Sequence, residues 1–243
     1  SIIVMEGMNY AQALPLYGLR QNVFTDPQKP MKVEPGKSVA IVGMSGCGKS
    51  TIAKLITGLY PPSEGEILFD GRHRSEISNE EFMNSVAMVD QNAIMFDDTI
   101  ASNIKMWDSS IEDFAMHMAC NDAQIREDVV TRPEGFNTRM AKGGQNFSGG
   151  QIQRIEIATA LAREPVILIM DEATSALDAD TEKRIMDSIR KMGITLIIIA
   201  HRLSTIRDCD EILVLEKGTV VERGTHLELM ETGSVYKELV SCN

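Results

Sequence analysis

The sequence lacks the features that mark membrane-spanning, secreted and nucleic-acid-binding chains, and it lacks the cysteine spacing of a zinc-type metal site. Its longest apolar runs, VILIM and TLIII, are far shorter than the ~20 residues of a membrane-spanning helix. No signal peptide is visible at the start, and the four cysteines have neither a paired metal spacing nor the density of a disulfide framework. With 24 Lys and Arg against 35 Asp and Glu, the formal net charge is −11. We therefore expect no nucleic-acid partner and a reducing, cytosolic setting for this part of the chain.

What the chain does contain is a regular alternation of apolar runs and helical stretches. Continuous apolar runs are typical of strands buried on both faces of a mainly parallel sheet. The runs are SVAIVG (38–43), SVAMVD (85–90), PVILIMDE (165–172), TLIIIAH (195–201) and EILVLEKGTVVERG (211–224). In the last run, the triplet EKG predicts a hairpin turn near the edge of the sheet. We predict an α/β fold with a mostly parallel sheet and an antiparallel part.

The stretch between Gln91 and Gly143 differs from its surroundings. Its segment IEDFAMHMACNDAQIREDVV has a helical composition, and it contains no strand-like run. We predict an α/β core formed by residues 1–91 and 144–243, with an inserted helical subdomain over residues 92–143.

A glycine-rich loop, GMSGCGKST, lies between a predicted strand and a predicted helix. It fits the pattern G-x-x-x-x-G-K-[ST], in which backbone N–H groups surround phosphates, Lys49 reaches the β and γ oxygens and Ser50 ligates Mg²⁺. The candidate phosphate-binding residues are Gly43, Ser45, Gly46, Cys47, Gly48, Lys49, Ser50 and Thr51. We interpret Cys47 as a small loop residue rather than a reactive thiol. The predicted helix has Ile52, Leu55, Ile56 and Leu59 on one face.

Polar side chains also follow other strands. Asp171 ends a buried strand and can hold Mg²⁺, while Glu172 can orient or polarise an attacking water. His201 and Gln91 end two further strands, and the carboxyl ends of parallel strands meet at one edge, so we expect both near Lys49. The remaining histidines, for which we expect structural roles, are His73, His117 and His226.

The segment FSGGQIQRIEIATA, residues 147–160, begins with a serine and two glycines and continues with a helical pattern. Ile152, Ile155 and Leu161 recur at helical spacing, so the small residues are predicted to lie at an exposed helix N-terminus. Unpaired N–H groups and the positive end of the helix dipole favour a phosphate there.

Six segments, in this order and spacing, resemble the nucleotide-binding domain of ATP-binding cassette (ABC) proteins: GMSGCGKS, VDQ, FSGGQ, VILIMDE, SALD and AHRLSTI. The resemblance implies a P-loop, Mg²⁺-dependent ATPase that packs head to tail with a second such domain, as a homodimer, with ATP between the two. It implies that the signature residues bind the nucleotide held by the other domain's P-loop. These residues are Ser148, Gly149, Gly150 and Gln151.

The same resemblance assigns further roles. Asp178 of SALD would cross the dimer and Glu172 would assist the attacking water. His201 would contact the γ-phosphate, and Gln91 would join Ser50 and Asp171 at the Mg²⁺ site and link it to the membrane-domain interface. Family members stack an aromatic residue on adenine shortly before the P-loop strand. In IIVMEGMNY, a predicted first strand, that residue is Tyr10, and Tyr17 in PLYG is the alternative. Trp107 and the fifteen methionines are interpreted as core filler.

Two positions depart from the common pattern. Phe147 stands where Leu is usual, which should leave the phosphate contacts intact. Lys142 stands where exporters usually carry Glu, and this charge reversal puts the contact with the membrane domains in doubt. An ordinary exposed lysine is an equal explanation for Lys142.

The C-terminal segments HRLSTIRDCDEILVLEKGTVVERGTHLELM and GSVYKELV resemble the exporter branch, in which a transmembrane domain lies on the same or a partner polypeptide. SVAMVDQ, MWD and IRDCDEI resemble bacterial peptide and bacteriocin exporters. This implies export of a bacteriocin-like peptide at the cytoplasmic face of the cell membrane, and a chain beginning SIIVMEG is expected to be part of a longer polypeptide. The alternatives are a soluble ABC ATPase acting on the ribosome or nucleic acid and an ATP-gated scaffold without hydrolysis.

Overall fold

The computed structural model describes residues 3–9, 31–62, 64–200 and 202–241. Its strands are β1 Ile3–Asn9, β2 Met31–Val33, β3 Ser38–Gly43, β4 Glu64–Phe69, β5 Arg72–His73, β6 Val86–Val89, β7 Ile167–Asp171, β8 Thr195–Ile199, β9 Glu211–Glu216 and β10 Thr219–Gly224. Its α-helices are α1 Lys49–Ile56, α2 Asn79–Ser85, α3 Ile100–Lys105, α4 Asp113–Asp122, α5 Arg126–Val130, α6 Gly149–Leu161, α7 Ala179–Lys191, α8 Leu203–Ile206, α9 His226–Thr232 and α10 Val235–Ser241. Short 3₁₀ turns occupy Arg74–Glu76, Gly135–Asn137 and Lys142–Gly144.

The larger sheet has the strand order β10-β9-β3-β8-β7-β6. The neighbours from β9 to β6 pair in parallel, and β10 pairs with β9 as an antiparallel hairpin at the edge. Every residue of β7 and β8 is buried, because helices cover both faces. The predicted parallel sheet and edge hairpin are confirmed.

A smaller, antiparallel sheet has the order β2-β1-β4-β5. Its strand β1 is the strand predicted from IIVMEGMNY, and β4 pairs with it from Phe69, opposite Ile3, to Glu64, opposite Asn9. This sheet is the predicted antiparallel part of the fold. Tyr10 and Tyr17 both lie outside the described residues.

Two apolar cores lie on opposite faces of the larger sheet. Along β3, Ala40 and Val42 face one core while Val39 and Ile41 face the other, as the two-residue period of a strand requires. The helices between residues 92 and 143 share the first core with α6 and α7, through residues such as Ile104. The helical character of this stretch is therefore observed, while its limits as a subdomain stay a prediction. In the described part of the chain, no helix is both long and apolar enough to cross a membrane.

Two buried cysteines add to the first core. Burial raises the pKa of the Cys120 thiol to about 12 and that of Cys209 to about 11. At neutral pH both are therefore protonated and behave as small apolar side chains.

Two packing predictions were wrong. Leu59 does not share a helix face with Ile52, Leu55 and Ile56 and is 65% exposed, because α1 ends at Ile56 and Gly58 turns the chain with a φ of 72°. Trp107 is 53% exposed rather than core filler. Its ring packs edge-on against Phe96, and its Nε1–H donates to Asp98 Oδ2 at 2.9 Å. The interpretation of the methionines as core residues holds for some of them and not for others: Met170 and Met186 are buried, whereas Met44 is 70% exposed.

Gly43 supplies the first test of this packing. A Cβ added there would lie 2.2 Å from the backbone oxygen of Leu215, its partner in β9, and 2.7 Å from Cys47 Sγ. Neither strand can move without breaking its ladder. We expect Gly43→Ala to lower the free energy of unfolding by about 2–3 kcal/mol and the Tm by about 4–10 °C, measured by thermal unfolding.

The matched control is Gly71→Ala, at a turn with a φ of 75° and no atom within 4 Å of the added Cβ. Only the cost of a positive φ applies there, about 1 kcal/mol. Equal losses in the two variants would contradict the close-packing explanation.

Candidate nucleotide-binding site

The glycine-rich loop joins the end of β3 to the start of α1. Gly46 and Gly48 have φ values of 79° and 107°, which glycine adopts at little cost. Gly48 is the N-cap of α1 and makes no side-chain hydrogen bond to the first turn, so no side chain competes with an anion at the start of this helix. Ser45 lies at the exposed tip, and Thr51 N–H donates to the Gly48 carbonyl at 3.1 Å.

Lys49 lies inside this loop and is only 5% exposed. Its Nζ donates to the carbonyl oxygens of Gly43 at 2.9 Å and Met44 at 3.1 Å, and it lies 4.0 Å from Cys47 Sγ. These neutral acceptors compensate for the desolvation of the ammonium. A phosphate oxygen is charged and would form a stronger hydrogen bond with it, so the lysine is placed to exchange loop carbonyls for phosphate.

The carboxylate at the end of β7 lies beside the loop. Asp171 is 5% exposed and forms a hydrogen bond with the Ser50 side chain. Its Oδ1 is buried and has no hydrogen-bond partner among the described residues. Burial raises the pKa of Asp171, the bond to Ser50 opposes that rise, and the carboxylates of Asp90 and Glu172 add to it.

This oxygen set fits Mg²⁺, which takes oxygen ligands and commonly binds through one or two protein groups plus substrate phosphates. A cation would satisfy the orphaned Asp171 oxygen and favour its charged form. Within the described ranges, no three His, Cys, Asp or Glu side chains come together to hold a metal by themselves. The remaining ligands would therefore come from Ser50, Gln91 and the nucleotide.

Glu172 and Gln91 are brought together across neighbouring strands. Gln91 Nε2 donates to Glu172 Oε2 at 2.9 Å, as expected from their positions after β6 and β7. Glu172 has a φ of 51°, and its N–H donates to the Ile199 carbonyl at 2.8 Å, so the chain turns away at the sheet edge. His201, the third residue predicted for this edge, lies outside the described residues.

The signature segment forms the predicted helix start. Ser148 is the N-cap of α6, and its hydroxyl accepts from Gln151 N–H at 3.2 Å while Gln151 Oε1 accepts from Ser148 N–H at 3.1 Å. Gln151 Nε2 also donates to Asp128 on α5 at 2.8 Å. A Cβ on Gly150 would lie 3.1 Å from the Ala176 carbonyl, so this glycine allows close contact with the loop after β7.

Asp178 begins α7 as its N-cap. Its Oδ1 accepts from the N–H groups of Asp180 and Thr181 at 3.2 and 3.0 Å, and these bonds hold the pKa of Asp178 below its usual range. Lys142 is exposed, and the Phe147 ring packs under the Arg132 guanidinium at 4.0 Å.

Sequence analysis missed the residues that hold the signature helix in place. Gln153 is 6% exposed, and it donates to Ser175 Oγ and accepts from Ala176 N–H, each at 2.9 Å. Arg154 Nη1 donates to Asp128 Oδ2 at 2.8 Å. The signal that could have found Gln153 is a polar residue next to the apolar stripe of an amphipathic helix.

A phosphate loop after a central parallel strand, a serine bonded to a buried aspartate and a glutamate at the same edge define a P-loop nucleotide-hydrolysing domain. The family model described as ABC transporter matches residues 28–175, more than half of the chain. The chain belongs to the ABC transporter family. A second model, of the CO dehydrogenase/acetyl-CoA synthase delta subunit, matches only residues 1–44. Of the site residues whose positions are described above, this range contains Gly43 alone.

Relatives and solved structures agree with this assignment. P-glycoprotein 14 of Caenorhabditis elegans is 44% identical over 86% of this chain, which spans 16% of that protein. The ATP-dependent lipid A-core flippase of Alkalilimnicola ehrlichii is 43% identical over 86% of this chain, which spans 36% of it. A bacterial Atm1-family ABC exporter, solved with ATP bound, superposes with a TM-score of 0.89 at 35% identity over 99% of this chain and 41% of its own.

The chain is thus an ATP-binding, ATPase domain of the exporter type, and the predicted ABC ATPase fold is confirmed. It spans from about a sixth to about a third of the two curated relatives. None of the three proteins named here is a peptide or bacteriocin exporter by its name.

One carboxyl group near the site carries no assigned role. Glu156 on α6 accepts a hydrogen bond from Asp90 N–H, and its Oε2 is buried without a partner among the described residues. Burial raises the pKa of Glu156 from 4.5 to about 7, and the nearby Asp90 carboxylate adds to the rise. The folded state therefore holds this proton more tightly than the unfolded state.

This shift predicts a pH-dependent stability. Between pH 4.5 and about 7 the folded protein binds more protons at Glu156, so its contribution to stability falls as the pH rises through that window. In Glu156→Gln that contribution is absent. We expect the variant to match the parent near pH 5 and to exceed its free energy of unfolding by about 1 kcal/mol at pH 8, a value reduced by partial exposure to water.

Urea unfolding at several pH values measures the difference. Glu231→Gln, at an exposed position, is the control and should follow the parent at every pH. A constant offset between Glu156→Gln and the parent across the range would refute the assigned pKa.

Proposed function

We propose that this domain hydrolyses ATP with Mg²⁺ at the edge formed by β3 and β7, dimerises on ATP and powers export through attached transmembrane domains. The observation that carries the proposal is the convergence of Lys49, the Ser50–Asp171 pair and the Gln91–Glu172 pair at one edge of the sheet. Phosphoryl transfer needs positioning and electrostatic stabilisation more than covalent chemistry, and this is what such a set of groups provides.

The roles of the residues follow from their contacts. Lys49 and the N–H groups of the loop hold the β- and γ-phosphates, while Ser50 and Asp171 would hold Mg²⁺. When bound, Mg²⁺ neutralises charge on the phosphate oxygens. Glu172 orients and polarises the water that attacks the γ-phosphorus as the bond to ADP breaks. Gln91 fixes the Glu172 carboxylate by its hydrogen bond.

A head-to-tail homodimer is proposed for the complete site. Ser148 and Gly149 are exposed at the start of the 13-residue helix α6, where the N-terminal end of the helix favours an anion. Asp178 lies at the exposed start of α7. Two copies facing each other would place these residues against the nucleotide of the partner. His201 is proposed to contact the γ-phosphate.

The transmembrane partner and the location are proposed from the relatives. The chain spans 41% of the Atm1-family exporter chain and 36% of the lipid A-core flippase, which leaves room for a membrane domain on the same polypeptide. The domain would then lie at the cytoplasmic face of the cell membrane. A soluble ribosomal or nucleic-acid role and a non-hydrolysing scaffold are not favoured by these relatives.

The peptide cargo predicted from SVAMVDQ, MWD and IRDCDEI stays a separate hypothesis. The relatives named above, which include a lipid A-core flippase, give it no support. Export assays with proteoliposomes of the full polypeptide, comparing a labelled bacteriocin-like peptide with a labelled lipid, would separate the two cargo classes.

Glu172→Gln tests the catalytic assignment. The amide still fills the space and can still pair with Gln91, but it cannot polarise water. We expect the turnover of ATP to fall by about 100-fold or more while ATP binding is retained and a dimer accumulates in light scattering. Lys49→Ala is the comparison variant and should lose ATP binding itself. Near-normal turnover in Glu172→Gln would remove its assigned role.

Ser148→Asp tests the dimer. Aspartate is as good an N-cap as serine, so α6 should fold normally. Its negative charge would face the γ-phosphate, and such like-charge contacts cost several kcal/mol. In the Glu172→Gln background we expect ATP-dependent dimerisation to weaken by about 100-fold or more, while ATP still binds the monomer. Ser148→Thr, which keeps both the cap and the neutral hydroxyl, should dimerise like the parent. Unchanged dimerisation in Ser148→Asp would argue against the head-to-tail arrangement.

A further inference from the structure

A buried charge outside the proposed catalytic set lies on the first turns of α7. Glu182 is 1% exposed, and its Oε1 accepts from Thr174 Oγ1 at 2.6 Å and from Thr205 Oγ1 in a short hydrogen bond. Thr174 and Thr205 are themselves buried. Two hydroxyl donors from separate segments therefore bind one carboxylate oxygen. Burying a carboxylate costs free energy unless it is hydrogen-bonded, and these donors offset that cost.

Arg202 and the Ser204 hydroxyl share the other oxygen of Glu182, and Arg202 reaches further. Its Nη1 lies 3.4 Å from Glu182 Oε2 and donates to the Leu177 carbonyl at 2.7 Å, and its Nη2 donates to the Ser175 carbonyl at 2.9 Å. The planar guanidinium thus joins a helix and two backbone carbonyls of one loop in a fixed geometry. We call Thr174, Glu182, Arg202 and Thr205 the Glu182 hub.

The hub connects three segments that all lead to the candidate site. The loop 173–178 runs from Glu172, after β7, to Asp178. Arg202 and α8 come directly after position 201, which follows β8. Asp178 is the N-cap of helix α7, which carries Glu182 one turn later. The same loop is held from the other side by Gln153 of the signature helix, through Ser175 and Ala176.

A purely stabilising role is a weak explanation for this arrangement. A buried carboxylate adds little net stability, because the cost of removing Glu182 from water offsets what the hydroxyl groups and the half-exposed Arg202 guanidinium return. The effect of Glu182 and Arg202 is to fix the position of loop 173–178, because Arg202 binds two backbone carbonyls of that loop and Glu182 binds Thr174 within it. Displacements of about 1 Å at a catalytic group can cost about 100-fold in rate.

We propose that Glu182 and Arg202 are positioning residues for ATP hydrolysis, which hold the loop between Glu172 and Asp178 in register with the segment after β8. This inference rests on the proposed function. The hydrogen bonds that the structure describes for the hub go to α7, α8 and loop 173–178, not to the phosphate loop, so we expect the hub to affect the rate of the chemical step more than the binding of the nucleotide.

Arg202→Lys tests the inference in the full chain. Lysine keeps the charge near Glu182 but loses the fork that binds Ser175 and Leu177. We expect kcat for ATP to fall about tenfold or more, with KM and the affinity for a fluorescent ATP analogue within about twofold of the parent. Arg207→Lys, at a neighbouring exposed arginine, is the control and should keep the parent kcat.

A second pair of variants covers the case in which Arg202→Lys does not fold. Thr205→Val removes the hydroxyl that binds Glu182 at nearly constant volume, and Thr205→Ser restores it. We expect kcat to fall in Thr205→Val and to return in Thr205→Ser, again with KM unchanged.

Each result decides between the possibilities. Parent-like kcat in folded Arg202→Lys or in Thr205→Val, or equal losses in kcat and in ATP affinity, would overturn the positioning role while leaving the ATPase assignment intact. A parent chain without Mg²⁺-dependent ATPase activity would overturn both. A loss confined to kcat, rescued by Thr205→Ser, supports the role.

Discussion

The parallel pairing of β3, β8 and β7 is the constraint on which the rest of the molecule depends. Because these strands end at one edge, β3 brings the phosphate loop and β7 brings Asp171 and Glu172 to the same place. Parallel strands need cover on both faces, and the covering helices have a second use. Helix α1 contacts β3 and β7, helix α6 contacts β6, and their N-cap residues, Gly48 and Ser148, are small and leave room for a phosphate.

Three charged side chains are almost completely buried near this edge, and each is stabilised differently. Lys49 donates to loop carbonyls, and Glu182 accepts from the hydroxyls of two threonines and Ser204 and from Arg202. Asp171 has one bond, to Ser50, and one buried oxygen without a partner among the described residues. Unsatisfied buried polar atoms are rare and need an explanation, and a bound cation provides one. The least satisfied of the three charges is thus the one assigned to the metal.

Local patterns predicted much of this structure. The apolar runs identified every strand of the larger sheet, and the glycines with Lys49 and Ser50 identified the loop, because these signals depend on neighbours in the chain. The hub was not predictable, since Thr174, Glu182 and Thr205 have no shared spacing and meet only when β7, α7 and α8 pack. Leu59 and Trp107 were misplaced for a related reason. Helix length and exposure depend on where the chain turns, and the α1 pattern continued beyond the turn at Gly58.

Two of the three cysteines that are buried in the described part of the chain make the protein its own probe of local opening. Cys120 lies on α4 among the helices, and Cys209 follows α8 beside the larger sheet. A thiol that is protonated and shielded from water reacts with an alkylating reagent only after the structure around it opens. Alkylation rates at the two sites therefore report separately on the helical region and on the sheet, without any introduced label. If bound nucleotide makes one region open less often than the other, the alkylation rate at the cysteine of that region will fall by more.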